Sequence, residues 1–277
     1  MRTYGVKIGD NEIQVADYPG EKGPILAIHG LTGNKFQLQF FAEHLSPRYR
    51  VITMDLRGRG DSSPAEEHSS IFHHAADIKL LAEKLEIEKP IVMGYSMGGF
   101  VAALAAAEME VQAVILLDGA ATMDGHQKPI VEPSFSRLGI PFDTEEGYIN
   151  QVTENYANLN IPPSKKLKDL LAYEVKEVDG KWFNKAIPEA IKADWSTFWQ
   201  FDAGRIIASV AAPVLLVQAA GKIGSHPPLF LPEHYAETIR AAKQIQVVTS
   251  DASHYTMVFE EREDINGWID AFLDRNE

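Results

Sequence analysis

An α/β protein with a mostly parallel sheet flanked by helices is what this sequence predicts, on three observations. Short apolar runs alternate with amphipathic segments of helical spacing along most of the chain. A serine stands in Gly94-Tyr95-Ser96-Met97-Gly98, between an apolar run and an alanine-rich one. The alternation is interrupted once, over residues 122–204, by a stretch richer in polar residues, proline and aromatics.

The opening residues read as strands joined by turns at Gly9-Asp10-Asn11 and Pro19-Gly20. A strand over 24–28 and a helix over 36–45 follow. The same unit recurs with a strand over 51–54 and a helix over 71–85, then a strand over 91–93 and a helix over 100–109. Residues 111–117 form a further strand. After the interruption, strands are expected over 213–217 and 245–249, with helices over 233–242 and 260–273. Alternation of this kind indicates parallel strands covered on both faces. The domain expectation is a core of residues 1–121 and 205–277 carrying an inserted helical cap, or lid, over 122–204. Helical spacing over 167–175 supports the cap. Its aromatics, from Tyr148 to Phe201, suit either the cap's own core or the wall of a pocket.

Composition narrows the function classes. The chain has 277 residues, 45% hydrophobic and 23% charged, as expected of a soluble globular protein. A net charge of −13 disfavours nucleic acid as a partner. The absence of cysteine excludes disulfides, thiol nucleophiles and cysteine-ligated zinc. The first residues, Met1 to Val6, lack an apolar signal core, and no apolar run reaches membrane-spanning length. A cytoplasmic protein with no membrane partner is expected.

The chemistry begins at Ser96. A strand–turn–helix context lifts the hydroxyl above the sheet at a helix N-terminus, where developing negative charge is favoured. Side chains at Gly94 and Gly98 would clash across so sharp a turn. A serine hydroxyl needs a base. Of the nine histidines only His254 follows a late strand and precedes the last helix, which puts it at the same sheet edge as Ser96. His73 and His74, adjacent on a helix, read as surface residues, and His126, His226 and His234 lack metal-ligand spacing. The base needs an orienting carboxylate. None lies between Asp202 and Glu233, so the loop after residues 213–217 offers no acid. Asp118, ending the strand that follows the helix of Ser96, is the preferred acid, with Asp124 and Asp251 as alternatives. Backbone N–H groups of Met97 and Leu31 are the candidate oxyanion donors, the latter in the loop His29-Gly30-Leu31-Thr32-Gly33-Asn34.

Three motifs, His29-Gly30 with its loop, Asp55-Leu56-Arg57-Gly58-Arg59-Gly60-Asp61-Ser62, and Gly94 to Gly99, resemble those of the α/β-hydrolase superfamily across nearly the full chain. The resemblance implies the α/β-hydrolase fold, Ser96 as nucleophile, His254 as base, and Leu31 and Met97 as oxyanion donors. It makes Arg59-Gly60-Asp61 a structural turn rather than an adhesion motif. Most members carry the acid after the strand that is here 213–217. The arrangement with Asp118 is similar to a minority that includes one group of haloalkane dehalogenases, zearalenone lactonase and an amide hydrolase of vitamin B6 breakdown. Dehalogenases and epoxide hydrolases use an aspartate nucleophile, against which Ser96 argues.

The expected activity is hydrolysis of a small or medium, largely apolar carboxylic ester or lactone through an acyl-enzyme, as a carboxylesterase or lactonase. The alternatives are amide or carbon–carbon bond hydrolysis, and a menaquinone-pathway synthase that eliminates pyruvate. The synthase typically has arginine where this chain has Phe100. A non-catalytic ligand receptor on the same scaffold is a further reading. A small-molecule substrate is the expected partner, no metal or cofactor is required, and homodimer formation is left open.

Overall fold

A computed structural model of the protein describes residues 1–65 and 68–276, apart from the side chain of residue 136. Its strands, in chain order, are β1 (Arg2–Ile8), β2 (Asn11–Tyr18), β3 (Lys22–Ile28), β4 (Tyr49–Met54), β5 (Ile91–Tyr95), β6 (Ala113–Leu117), β7 (Val175–Val178), β8 (Lys181–Asn184), β9 (Val214–Gly221) and β10 (Ile245–Ser253). Its helices are α1 (Gln39–Leu45), α2 (Ile71–Lys84), α3 (Met97–Glu108), α4 (Lys128–Val131), α5 (Glu145–Ala157), α6 (Lys165–Tyr173), α7 (Pro188–Thr197), α8 (Ala203–Ser209), α9 (Ala236–Ala241), α10 (Thr256–Phe259) and α11 (Glu263–Arg275).

One eight-stranded sheet has the order β1-β2-β4-β3-β5-β6-β9-β10. β1, β2 and β4 pair antiparallel, and every pair from β4 to β10 is parallel. β1 alternates between exposed and covered positions, as an antiparallel edge strand does. β5 and β6 are buried along their whole length, which explains their unbroken apolar sequences. α3 is buried all round from Met97 to Ala106, and its glycine and alanine content lets neighbours close on every side. The strand order reverses between β3 and β5, and in such a sheet a crevice opens at the carboxyl ends of the strands there.

That crevice depends on two glycines. A Cβ on Gly94 would stand 1.9 Å from the Gly98 carbonyl oxygen, and a Cβ on Gly98 would stand 2.1 Å from that of Ile28. Both neighbours are backbone, so neither can yield cheaply. The close approach seats the start of α3 directly against the end of β3.

The segment expected as a helical cap also contains the β7–β8 hairpin. The helical spacing read as far as Val175 ends at Tyr173, because Glu174 turns inward to pair with Arg137 and Val175 starts β7. The expected boundary at residue 204 falls inside α8, which packs on α3 and α9. Among the described residues, the buried apolar side chains of this segment join the two apolar layers of the sheet. Tyr148, Val152, Tyr156 and Leu171 join the apolar layer containing α1 and α11, whereas Ile191, Trp195 and Phe198 join the layer containing α2 and α3. The helix expected over 260–273 is α11, Glu263–Arg275, and a short helix that was not expected, α10, precedes it. Among the described residues no helix is long and apolar enough to cross a membrane.

His29, just beyond β3, ties the loop after β3 to the loop after β4. Its Nδ1–H donates to the Gly30 carbonyl at 2.6 Å, and its Nε2 accepts from the Leu56 N–H at 3.1 Å. This pairing needs the neutral ring. Burial, reinforced by the nearby Arg59 guanidinium, pushes its pKa down to about 3 from 6.5.

Two predictions follow from these contacts. Gly98→Ala lowers the unfolding free energy by at least about 2 kcal/mol, as overpacking against backbone does. Gly267→Ala, in α11 with nothing within 4 Å of the added Cβ, raises it by about 0.5–1 kcal/mol. Urea midpoints compare the two. The folded protein resists protonating His29 while the unfolded chain does not, so stability is full above the unfolded value of 6.5 and declines as pH falls toward 3. The decline between pH 7 and 5, above the range of most carboxylates, is about 2 kcal/mol for this residue. Urea unfolding at several pH values should find that component missing from His29→Gln.

Candidate active site

Ser96 is the residue between β5 and α3, with φ 54° and ψ −120°. A non-glycine residue in this region carries strain of about 1–3 kcal/mol. Packing over-determines it: the Ser96 N–H bonds the Leu117 carbonyl at 2.9 Å, and its own carbonyl accepts from Gly99. The side chain is left half-buried, in the crevice between β3 and β5.

The structure brings His254 and Asp118 to this serine. His254 follows β10, and its Nε2 lies 3.0 Å from Ser96 Oγ. Its Nδ1 lies 2.6 Å from Asp118 Oδ2. With Nδ1–H donated to the carboxylate, Nε2 is free to accept from the serine hydroxyl. Asp118, at the end of β6, is fully buried and has φ 47°. Its second oxygen accepts from the Tyr235 hydroxyl at 2.7 Å and from the Ala219 N–H at 2.9 Å. Burial and the adjacent carboxylate push the Tyr235 phenol well above its usual value, so it remains a donor. The Tyr95 hydroxyl holds the His254 carbonyl at 2.8 Å.

The two alternative acids are engaged elsewhere. Asp124 accepts from the His126 N–H and pairs with His234 at 3.1 Å. Asp251 is exposed and pairs with Arg262. The histidine pair needs a correction. His73 is exposed, but His74 is fully buried, with Nε2 2.9 Å from Asp194 on α7. Its burial follows from the insertion, which covers that face of α2 and which helical spacing does not reveal. Among the described residues no group of three His, Cys, Asp or Glu is arranged to hold a metal.

Leu31 and Met97 lie beside Ser96, Leu31 in the loop after β3 and Met97 as the first residue of α3, where a helix leaves its N–H groups without internal partners. The two peptides on either side of Gly30 are braced. The Gly30 N–H donates to Gln37 Oε1 at 2.7 Å, and the Gly30 carbonyl accepts from His29. Beneath it the Arg59 guanidinium, almost wholly buried, donates to the Leu31 carbonyl at 3.0 and 3.1 Å. Arg59 also pairs with Asp194 at 2.5 Å. Burial alone would raise the Asp194 pKa, but Arg59 and His74 outweigh it and hold the carboxyl well below the usual range. Arg59 therefore does structural work under the loop, which fits the reading of Arg59-Gly60-Asp61 as a turn.

The space directly over Ser96 is small, about 40 Å³, and is lined by Leu31, His254 and Tyr255 among others. It shares Thr32, Ser134 and Tyr255 with a cavity of about 350 Å³ under the insertion. Apolar walls come from Ile130, Pro133, Val152, Leu159 and Ile223. Of the insertion's aromatics, Tyr156 lines this cavity, whereas Phe198 and Phe201 pack on Phe100 in the core. Sequence reasoning did not single out Tyr235, Gln37, Asp194 or Arg137. Tyr235, Asp194 and Arg137 act across long sequence separations, and Gln37 reaches back only seven residues but from a loop position that carried no signal of its own.

The geometry sits beside clear similarities. A 3-hydroxybutyrate-oligomer hydrolase of Cupriavidus necator is 26% identical, over 85% of this chain and 84% of that protein. An N-formylmaleamate deformylase of Pseudomonas putida is 24% identical, over 93% and 90% respectively. The crystal structure of an E-2-(acetamidomethylene)succinate hydrolase superposes with a TM-score of 0.85 at 23% identity, covering 99% of both chains. The family model for the alpha/beta hydrolase fold matches residues 23–261, and the chain belongs to that family.

Proposed function

We propose that the protein is a serine hydrolase of carboxylic esters or lactones, working through an acyl-enzyme on Ser96. The observation that carries the reading is the unbroken chain from Asp118 through His254 to Ser96, at 2.6 and 3.0 Å. Ser96 attacks the carbonyl as His254 takes its proton. The Leu31 and Met97 N–H groups receive the oxyanion, each donor contributing about 3–4 kcal/mol to the transition state. His254 then protonates the leaving alcohol, and in the second half activates the water that releases the acid. Asp118 fixes the His254 tautomer and stabilises its cation, helped by Tyr235 and Ala219, which hold the carboxylate still. A cavity of about 350 Å³ with largely apolar walls suits a small or medium substrate body.

Amide hydrolysis is the second reading, favoured by the name of the deformylase relative. The same residues would serve, with His254 protonating a leaving nitrogen. The pyruvate-eliminating synthase has less support: Phe100 is wholly buried against Phe198, Phe201 and Phe230 and offers no cation to the site. A receptor role has no observation in its favour beside an assembled triad.

A fluorophosphonate probe and a panel of acyl esters test the proposal. Wild type is labelled and turns over esters, and Ser96→Ala does neither. Asp118→Asn lowers kcat by roughly 10³–10⁴-fold through the wrong tautomer. Asp124→Asn and Asp251→Asn stay near wild type. Full ester hydrolysis by Ser96→Ala would sink the assignment.

A further inference from the structure

The cavity beside Ser96 has a charge pattern unlike the rest of the molecule. The chain carries 39 acidic residues and a net charge of −13. Yet among the described residues lining this cavity none is Asp or Glu, and the basic ones are Arg137 and His226. His226 is exposed at the edge, and Arg137 lies deep. The Arg137 side chain is 14% exposed. Its Nη2 donates to Thr32 Oγ1 at 3.3 Å, and Thr32 lines both the cavity and the space over Ser96. The guanidinium therefore stands one residue beyond Leu31, whose N–H is assigned to the oxyanion.

Arg137 has a buried counter-ion, and its arrangement matters. Nη1 lies 3.1 Å from Glu174 Oε2 and 2.9 Å from the Tyr148 hydroxyl. The same Glu174 oxygen also accepts from Tyr148 at 2.6 Å. Glu174 is 5% exposed and does not line the cavity. The carboxylate thus sits behind the arginine, its charge shared among donors on the far side. These contacts engage three of a guanidinium's five N–H donors. A buried ion pair is a poor device for stability alone, whereas a guanidinium oriented from behind suits recognition of a planar anion.

We propose that the natural substrate carries a carboxylate, joined to the scissile carbonyl group by a short chain, and that Arg137 binds it. This rests on the hydrolase reading above and names the substrate class. Recognition is then by two points, the oxyanion donors at one end and Arg137 at the other, with apolar walls between.

The test measures how fast a neutral fluorophosphonate labels Ser96 in the intact protein while a competitor occupies the site. The competitors are the monomethyl esters of succinate, glutarate and adipate, each paired with its neutral dimethyl ester. In wild type at least one monoanion protects at concentrations lower by about tenfold or more than its diester, the scale of a charge-assisted hydrogen bond. The advantage disappears in the double variant Arg137→Gln/Glu174→Gln, which leaves no lone buried charge, and shrinks in Arg137→Lys, which keeps the charge but loses the fork. A purely structural role for Arg137 would alter stability without altering this ratio. Equal or better protection by every diester overturns the proposal, as does an advantage that survives in the variants. Absence of Ser96 labelling in wild type instead defeats the nucleophile assignment, and this proposal with it.

Discussion

The contact between the start of α3 and the end of β3 is the constraint on which the site depends. Gly98 touches the Ile28 carbonyl so closely that no side chain fits between them. With that contact made, Ser96 is forced into its strained backbone conformation, and the loop from His29 to Thr32 has to pass beside it. Ser96 and the Leu31 N–H are then neighbours as a matter of sheet topology, because β3 and β5 are adjacent and parallel. Nothing in either side chain is needed to bring them together.

Topology supplies proximity but not orientation, and buried polar groups supply the rest. Gln37 holds the N–H of Gly30 and His29 its carbonyl, and Arg59 holds the Leu31 carbonyl from below. Arg59 is in turn paired with Asp194, which belongs to α7 in the insertion. Removing one partner of such a buried pair costs about 3–5 kcal/mol, because the other charge is left uncompensated. The segment carrying α7 is thereby fixed to the loop that contains Leu31. The insertion shares both apolar layers with the sheet, so it is braced by packing as well as by charge.

What could be read from the sequence divides along the same line. The central strands and α3 were legible because full burial demands unbroken apolar runs, and Ile91 to Tyr95 and Ala113 to Leu117 have nothing else. Ser96, His254 and Asp118 were legible as candidates because each follows a strand at one sheet edge. Element ends were less so: the helix expected from residue 100 starts at Met97, since Gly98 and Gly99 read as turn residues until close packing requires them in a helix. His74 was misread because its neighbours along the chain say nothing about Asp194, 120 residues away. Arg137 was invisible for a similar reason, lying in a polar stretch and meaningful only beside Thr32 and Glu174.

The position of the acid follows from how a carboxylate is made rigid. As the proposed base, His254 would need a partner that does not move as charge develops on its ring, and an aspartate on a flexible loop would be a poor one. Asp118 is at the end of β6, between β5, which leads to Ser96, and β9. The stretch that lacks an acid, after residue 217, continues β9 as far as Gly221, and it brings the Ala219 N–H to Asp118. Tyr235, further along the chain, gives the second donor to the same oxygen. One carboxylate oxygen is thus saturated by the β9 side while the other is left for His254. Moving the acid to the end of β9 would remove the acceptor that Ala219 and Tyr235 share, and would leave two buried donors unsatisfied. Asp118 and the acid-free stretch after residue 217 thus form one hydrogen-bonded arrangement.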